Sequence, residues 1–155
     1  TELAPYAEQR GVSLSLEPMH PMFAADRAVL STIDQALDIA EASGSSAVGV
    51  VVDTYHVWWD PCLERAIQRA AASDRLFSYQ VCDWNLPLAA EPLHSRGYMG
   101  DGYIDFPSIT AMIKEAGYTG DIEVEIFNED VWATPADDSA KTIAERFTQL
   151  VLPSA

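Results

Sequence analysis

Residues 47–56 read AVGVVVDTYH. Six apolar residues run unbroken from Ala47 to Val52 and stop at a carboxylate, Asp53. A strand with one wet face alternates apolar and polar positions, whereas a short continuous apolar run fits a strand covered on both faces, as in a parallel sheet. If Asp53 points inward, the two-residue pleat sends Val51 and Gly49 the same way and turns Val48, Val50 and Val52 to the opposite face. The flanking chain repeats this design. Residues 12–16 alternate strictly and end at Glu17 in SLSLEPMHP; residues 77–82 carry Gln80 in SYQVCDW; residues 121–126 carry Glu125 in IEVEIF. Each strand thus places an oxygen donor near its C-terminal end.

Helical signals separate these strands. Residues 5–10 look like the tail of a helix stopped by Gly11. Ser31 opens a helix, with Asp34 three residues on as a capping-box-like acid, that runs through Ile33, Ala36, Leu37 and Ala40 to about Gly44. Asp60-Pro61 joins an N-cap carboxylate to a proline at the first helical position and starts a helix reaching about Ala72. Asp105 caps a helix ending at Gly117, and Thr134-Pro135-x-Asp137 opens the last one. Long loops fill residues 18–30 and 83–103. Four strands, each followed by a helix, imply parallel strands with right-handed crossovers. A small doubly wound sheet and half of an eight-stranded barrel both fit. The first would be marked by a glycine-rich phosphate turn after a strand; here acids follow the strands instead.

The 155 residues, 48% of them hydrophobic, suffice for one domain over 1–155 and are too few for two. A net charge of −15 repels phosphate backbones and argues against a nucleic-acid partner. No apolar run approaches the ~18 residues of a membrane span, and the polar start TELAPYAEQR is unlike a secretory signal. Cys62 and Cys82 form no CxxC pair, which leaves a zinc-finger site unsupported and fits reduced thiols in a cytoplasmic protein.

The pleat shows why the strand-end acids belong together. With Glu17 inward, Ser15 and Ser13 follow, while Leu16, Leu14 and Val12 face the helices; with Glu125 inward, Glu123 follows, while Ile122, Val124 and Ile126 face outward. An interior left small or polar wastes core in a structural protein and is expected around a metal. Glu17, Asp53, Gln80 and Glu125 converging on one point would repel one another without a cation, and an oxygen-rich, sulfur-free set suits Mg²⁺, Mn²⁺ or Co²⁺. Glu123 sits one layer below that point and calls for a basic partner from a strand outside this chain. Tyr55, Trp58, Trp59, Trp84 and Tyr103 fall on loops at the same edge, where they could cover the apolar face of a ligand.

In order, the segments EPMHP, DTYHVWWDP, YQVCDW, RGYMGDGYIDFPSI and GYTGDIEVEIF resemble the last four β/α units of the xylose-isomerase-like superfamily of sugar isomerases, ketose 3-epimerases, inosose and 3-dehydroshikimate dehydratases and apurinic-site endonucleases. The resemblance spans about Gly11 to Phe147. It implies an α/β fold, a (β/α) barrel of the TIM type, to which this chain gives the last four units as the C-terminal half, the N-terminal half being absent from it. It implies one divalent metal ion (Mn²⁺, Mg²⁺ or Co²⁺, with Zn²⁺ as an alternative) on Glu17, Asp53, Gln80 and Glu125, where Gln80 replaces the commoner histidine and is seen in some dehydratase-like members. Glu17 and Glu125 match the catalytic proton carriers; His20, His56, Arg96 and Trp84 fall on the substrate side.

The expected activity is therefore that of an isomerase or epimerase of carbohydrate metabolism, taking a proton from carbon next to a carbonyl of a sugar or polyol-like small molecule through a metal-stabilised enediolate. The alternatives are a metal-dependent dehydratase of the inosose or 3-dehydroshikimate type and an inactive half-barrel fragment. Phosphodiester cleavage needs a histidine-rich three-metal cluster, which three histidines do not supply. Four strands with polar inner faces cannot close alone, so the partner is a missing N-terminal half-barrel or another copy in a homo-oligomer.

Overall fold

The computed structural model describes residues 2–155. Four parallel strands, β1 (Leu14–Leu16), β2 (Val48–Asp53), β3 (Leu76–Val81) and β6 (Ile122–Val124), lie in the order β1-β2-β3-β6. Between β3 and β6 the chain makes a small antiparallel pair, β4 (Asp83–Trp84) with β5 (Arg96–Gly97). Helices α1 (Leu3–Gln9), α2 (Ile33–Ala42), α4 (Leu63–Ala72), α5 (Phe106–Glu115) and α7 (Ala136–Leu150) connect or flank the strands, with short turns of helix at α3 (Thr54–Val57) and α6 (Glu129–Ala133).

The helices cover one face of the sheet. Three of them bury a stripe with helical spacing: Ile33, Ala36, Leu37 and Ala40 on α2; Leu63, Ala66, Ile67 and Ala70 on α4; Phe106, Ile109, Thr110 and Ile113 on α5. Most of these pack with Val50, Val52, Tyr79 and Val81 in one core, while Ala40 packs with Ala4 and Val48 in a smaller one. Small residues on α2 and α4 let the helices approach, and outside the contact Arg69 of α4 pairs with Asp34, Asp38 and Glu41 of α2 at 2.7–3.0 Å. The other face is different. Ser13, Ser15 and Glu123 are exposed on it, as the pleat predicts. A hollow of about 550 Å³ opens at the N-terminal end of the strands, lined among others by Ser13, Ser15, Phe77 and Tyr118.

Register places the polar row. Asp53 lies opposite Gln80, and Gln80 opposite Glu123. Within the chain the Gln80 amide Nε2 donates to Glu123 Oε2 at 3.0 Å.

Several helix starts shift from their expected places, each for a local reason. Thr32, not Ser31, caps α2: its hydroxyl accepts from Gln35 N–H while Gln35 Oε1 accepts from Thr32 N–H, and Asp34 turns outward to the arginines of α4. Asp60 does not cap α4, which begins at Leu63; it accepts from Cys62 N–H at 2.8 Å and closes a turn before the helix. Asn128 caps the short α6, so α7 begins one residue beyond Pro135 without a side-chain cap. Asp105 caps α5 as expected.

Gly49 faces the inner side of β2, and a Cβ there would stand 2.6 Å from the Arg75 carbonyl oxygen and 2.5 Å from the Phe77 ring. The carbonyl belongs to the β2–β3 ladder and cannot retreat freely. Gly49→Ala is expected to cost about 1–3 kcal/mol of stability through overpacking, read as a lower urea midpoint at unchanged slope.

Candidate active site

The C-terminal ends of β1, β2 and β6 bring Glu17, Asp53 and Glu125 into one polar cluster, with Arg96 at its centre. Asp53 ends β2 with a side chain closed off from solvent. Its Oδ1 accepts from Tyr55 N–H at 2.9 Å, which makes Asp53 the cap of α3 and fixes the carboxylate. Its Oδ2 stands 2.8 Å from Arg96 Nη2. Glu125 Oε2 is 3.3 Å from the same nitrogen. Glu17 pairs with no arginine or lysine among the described residues: burial first, then the charges of Asp53 and Glu125, push its carboxyl up to about 7, although 38% of the side chain reaches solvent. Glu125 is also raised by burial, and Arg96 opposes that shift.

Arg96 is held through its terminal nitrogens and its ring contacts, while its buried Nε has no hydrogen-bond partner among the described residues. Its side chain is 1% exposed. Nη1 donates to Cys82 Sγ at 3.2 Å and to the Glu125 carbonyl at 3.4 Å, and the guanidinium lies over the rings of Tyr55 (4.6 Å) and Phe127 (5.3 Å). Asn128 Nδ2 donates to the Arg96 carbonyl at 2.8 Å. The hairpin that delivers it depends on Asp83, a buried carboxylate whose Oδ1 accepts from the N–H groups of Trp84 and Ile104 and whose Oδ2 accepts from those of Gly100 and Gly102, at 2.8–3.0 Å. Gly102 is required there: a Cβ would stand 2.1 Å from the Trp84 carbonyl oxygen. Sequence reading missed Asp83, Cys82 and Asn128 as parts of this arrangement. The signals available were an acid directly after the third strand and glycines at positions 100 and 102 of one loop.

His56, on α3, belongs to the same cluster. Its Nε2 is 3.9 Å from Glu17 Oε1, 3.8 Å from Asp53 Oδ2 and 3.1 Å from Arg96 Nη2. Burial pulls the imidazole down to about 4, so the ring is neutral near pH 7. Its Nδ1 lies 3.2 Å from the His20 N–H and its Nε2 faces the Arg96 guanidinium, so both ring nitrogens look at donors and the neutral ring accepts from one of them.

The substrate-side aromatics form one wall. His20 packs on Trp84 at 4.6 Å, and Trp84 stacks on Tyr55 at 4.8 Å. Trp58 approaches Trp84 at 5.8 Å, and Trp59 Nε1 donates to the His56 carbonyl at 2.8 Å. Tyr103 stands apart and exposed, beside α5. A hollow of about 470 Å³ adjoins Glu17 and the loop of residues 24–30.

Two observations bear on a cation. Glu17, Asp53 and His56 each offer a ligand atom within 4.8 Å of the others. In addition, the buried oxygens Asp53 Oδ2 and Gln80 Oε1 accept no well-directed hydrogen bond; Asp53 Oδ2 has its ion pair with Arg96, and Gln80 Oε1 has no hydrogen-bond partner among the described residues. Free oxygen lone pairs among clustered carboxylates fit a hard divalent cation. Gln80 is divided between two tasks, its amide nitrogen bound to Glu123 and its oxygen left over.

Residues 1–150 match the model of the xylose isomerase-like TIM barrel family, and the chain belongs to that family. It is 29% identical over 147 residues to an inosose isomerase of Bacillus velezensis, covering 94% of this chain and 50% of the isomerase. It is 30% identical over 145 residues to a 3-dehydroshikimate dehydratase of Pseudomonas putida, covering 89% of this chain and 21% of the dehydratase. The crystal structure of protein SMc04130 from Sinorhizobium meliloti 1021 superposes with a TM-score of 0.91 at 46% identity, covering 96% of this chain and 54% of that one. The chain spans about half the length of the isomerase and of the Sinorhizobium protein. Among the described residues no helix is long and apolar enough to cross a membrane.

Asp83→Ala removes the acceptor for four backbone donors, three of them in one loop. A loss of about 2–5 kcal/mol is expected from stranded buried N–H groups. Asp83→Asn is also expected to destabilise, because its NH₂ meets N–H groups where an oxygen stood. Chemical denaturation measures both.

Proposed function

We propose that this chain supplies the C-terminal half of a (β/α)₈ barrel that works as a divalent-metal-dependent isomerase or epimerase on a sugar or polyol-like ketone. The observation that carries the reading is the meeting of Glu17, Asp53, His56 and Glu125 around Arg96 at the C-terminal ends of parallel strands, the edge where barrel enzymes build their sites. The names of the family members reported above, an isomerase and a dehydratase, agree with it.

Glu17, Asp53, Gln80 and Glu125 are the proposed metal ligands, all through oxygen, with Mn²⁺, Mg²⁺ or Co²⁺ preferred and Zn²⁺ as the alternative. His56 stays outside the set, on the substrate side, because its Nε2 faces the Arg96 guanidinium at 3.1 Å and its Nδ1 the His20 N–H. A divalent ion there would supply Lewis acidity to the substrate carbonyl. The remaining work falls to side chains. Glu17 ends the first strand of the sheet and Glu125 follows the last, so they reach the site from its two sides. One removes the proton from carbon next to the carbonyl and the other returns it on the opposite face. The Arg96 guanidinium hydrogen-bonds the substrate oxygen as negative charge develops, and His56 beside it holds a substrate hydroxyl or carbonyl in the bound state. Trp84 and His20 cover the apolar face of the ring and exclude water.

A dehydratase is the second reading, favoured by the relative of that activity at 30% identity. Expulsion of a β-hydroxyl would replace proton return, with His56 in reach as acid or base. For the rest of the barrel we propose four further β/α units, carried N-terminal to these in a longer polypeptide, in a second polypeptide, or in a paired copy. The reading is supported by the exposed polar inner face of the sheet and the half-length match to the relatives. The unpaired cysteines fit a cytoplasmic setting.

Glu17→Gln and Glu125→Gln are each expected to lower kcat on ketose, inosose and dehydroshikimate substrates by about 10²–10⁴-fold, while His56→Asn mainly raises KM; steady-state kinetics on that panel reads the split. Full activity in Glu125→Gln at unchanged metal content excludes Glu125 as proton carrier. Residues 1–155 alone are expected to self-associate or bind a dye for apolar surface. A 17.0 kDa monomer in light scattering with no dye binding contradicts the half-barrel reading.

A further inference from the structure

The proposed ligand set contains a cation of its own. Arg96 is buried, always charged, and packed too tightly to swing away: two rings sandwich its guanidinium, Cys82 Sγ and the Glu125 carbonyl take Nη1, and Asn128 ties its main chain. Its Nη2 stands 2.8 Å from Asp53 Oδ2 and 3.3 Å from Glu125 Oε2, so it contacts two of the four proposed ligands. Asp53 Oδ1 is already taken by Tyr55 N–H. Each Asp53 oxygen therefore already has one partner, and any ion placed at Oδ2 sits a few ångström from a fixed positive charge.

We propose that Arg96 is a tuning residue that limits how tightly this site holds its divalent ion, by competing for the Asp53 and Glu125 oxygens and by direct charge repulsion. The inference rests on the metal-site reading above. Two effects of removing Arg96 act in the same direction. Repulsion disappears, and the carboxylates of Asp53 and Glu125 lose a competing partner, so both favour the ion. With Arg96 in place the site is a weak, exchangeable binder in which negative charge developing on a substrate oxygen is met by two cations rather than one.

The test is titration of the full-length protein with Mn²⁺ alone, by calorimetry and by quenching of tryptophan fluorescence, for wild type, Arg96→Met, Arg96→Gln and Arg96→Lys. Both neutral variants are expected to bind Mn²⁺ at least tenfold tighter, well inside the roughly thousandfold that two unit charges about 4 Å apart would exert at an effective dielectric of about 20. Arg96→Lys, which keeps the charge, stays near wild type. Mn²⁺ is also expected to raise the melting temperature of the neutral variants more than that of wild type, a readout independent of turnover and usable on variants too unstable for calorimetry. Equal or weaker Mn²⁺ binding by folded Arg96→Gln overturns the proposal while leaving the metal site standing. Wild-type protein that binds no Mn²⁺ overturns both.

Discussion

The contact between Arg96 Nη2 and Asp53 Oδ2, 2.8 Å long with neither side chain in solvent, constrains most of what surrounds it. Removing two charges from water costs several kcal/mol per ion, and the pair recovers that cost only with good geometry and further hydrogen bonds. The molecule provides them. Asp53 spends its second oxygen on the first turn of α3, and the guanidinium spends Nη1 on Cys82 and Glu125. Arg96 comes from a loop, and a loop places a charge accurately only when it is anchored. The anchors are the β4–β5 pair, the four N–H bonds to Asp83 and the Asn128 bond. One buried charge thus accounts for why a polar, glycine-containing stretch follows the third strand.

The two faces of the sheet divide the work. Stability comes from the outer face, where aliphatic side chains of the strands meet the apolar stripes of α2, α4 and α5. The inner face gives up burial, carrying Ser13, Ser15, Gly49 and Glu123, and so remains free to hold carboxylates near its upper rim. That division is costly for an isolated sheet and sensible in a barrel, where the inner faces of eight strands pack against one another.

Much of this was legible in the chain because strand periodicity is strict. Once Asp53, Glu17 and Glu125 were read as strand ends, the inward and outward residues followed, and the family match over residues 1–150 agrees with that architecture. Local capping was less legible where neighbouring residues compete. Ser31 and Thr32 both precede an acid or amide at cap spacing, and Arg65 and Arg69, distant in sequence, drew Asp34 away. Arg96 was recognised only as a loop residue on the substrate side. Its burial between Tyr55 and Phe127 depends on an antiparallel return across twelve residues, which no local pattern announces. The Gln80–Glu123 bond arises from cross-strand register, which the sequence of either strand alone leaves open.

The account stands on one geometric claim, that Glu17, Asp53, Gln80 and Glu125 share a divalent cation through oxygen while His56 does not. Anomalous diffraction from crystals of the full-length protein grown with MnCl₂ tests it most directly. The account predicts one strong peak at roughly 2.0–2.6 Å from an oxygen of each of the four residues, with His56 Nδ1 still facing the His20 N–H. A peak coordinated by His56 Nε2 in place of Gln80, or no peak between these strand ends, would contradict it.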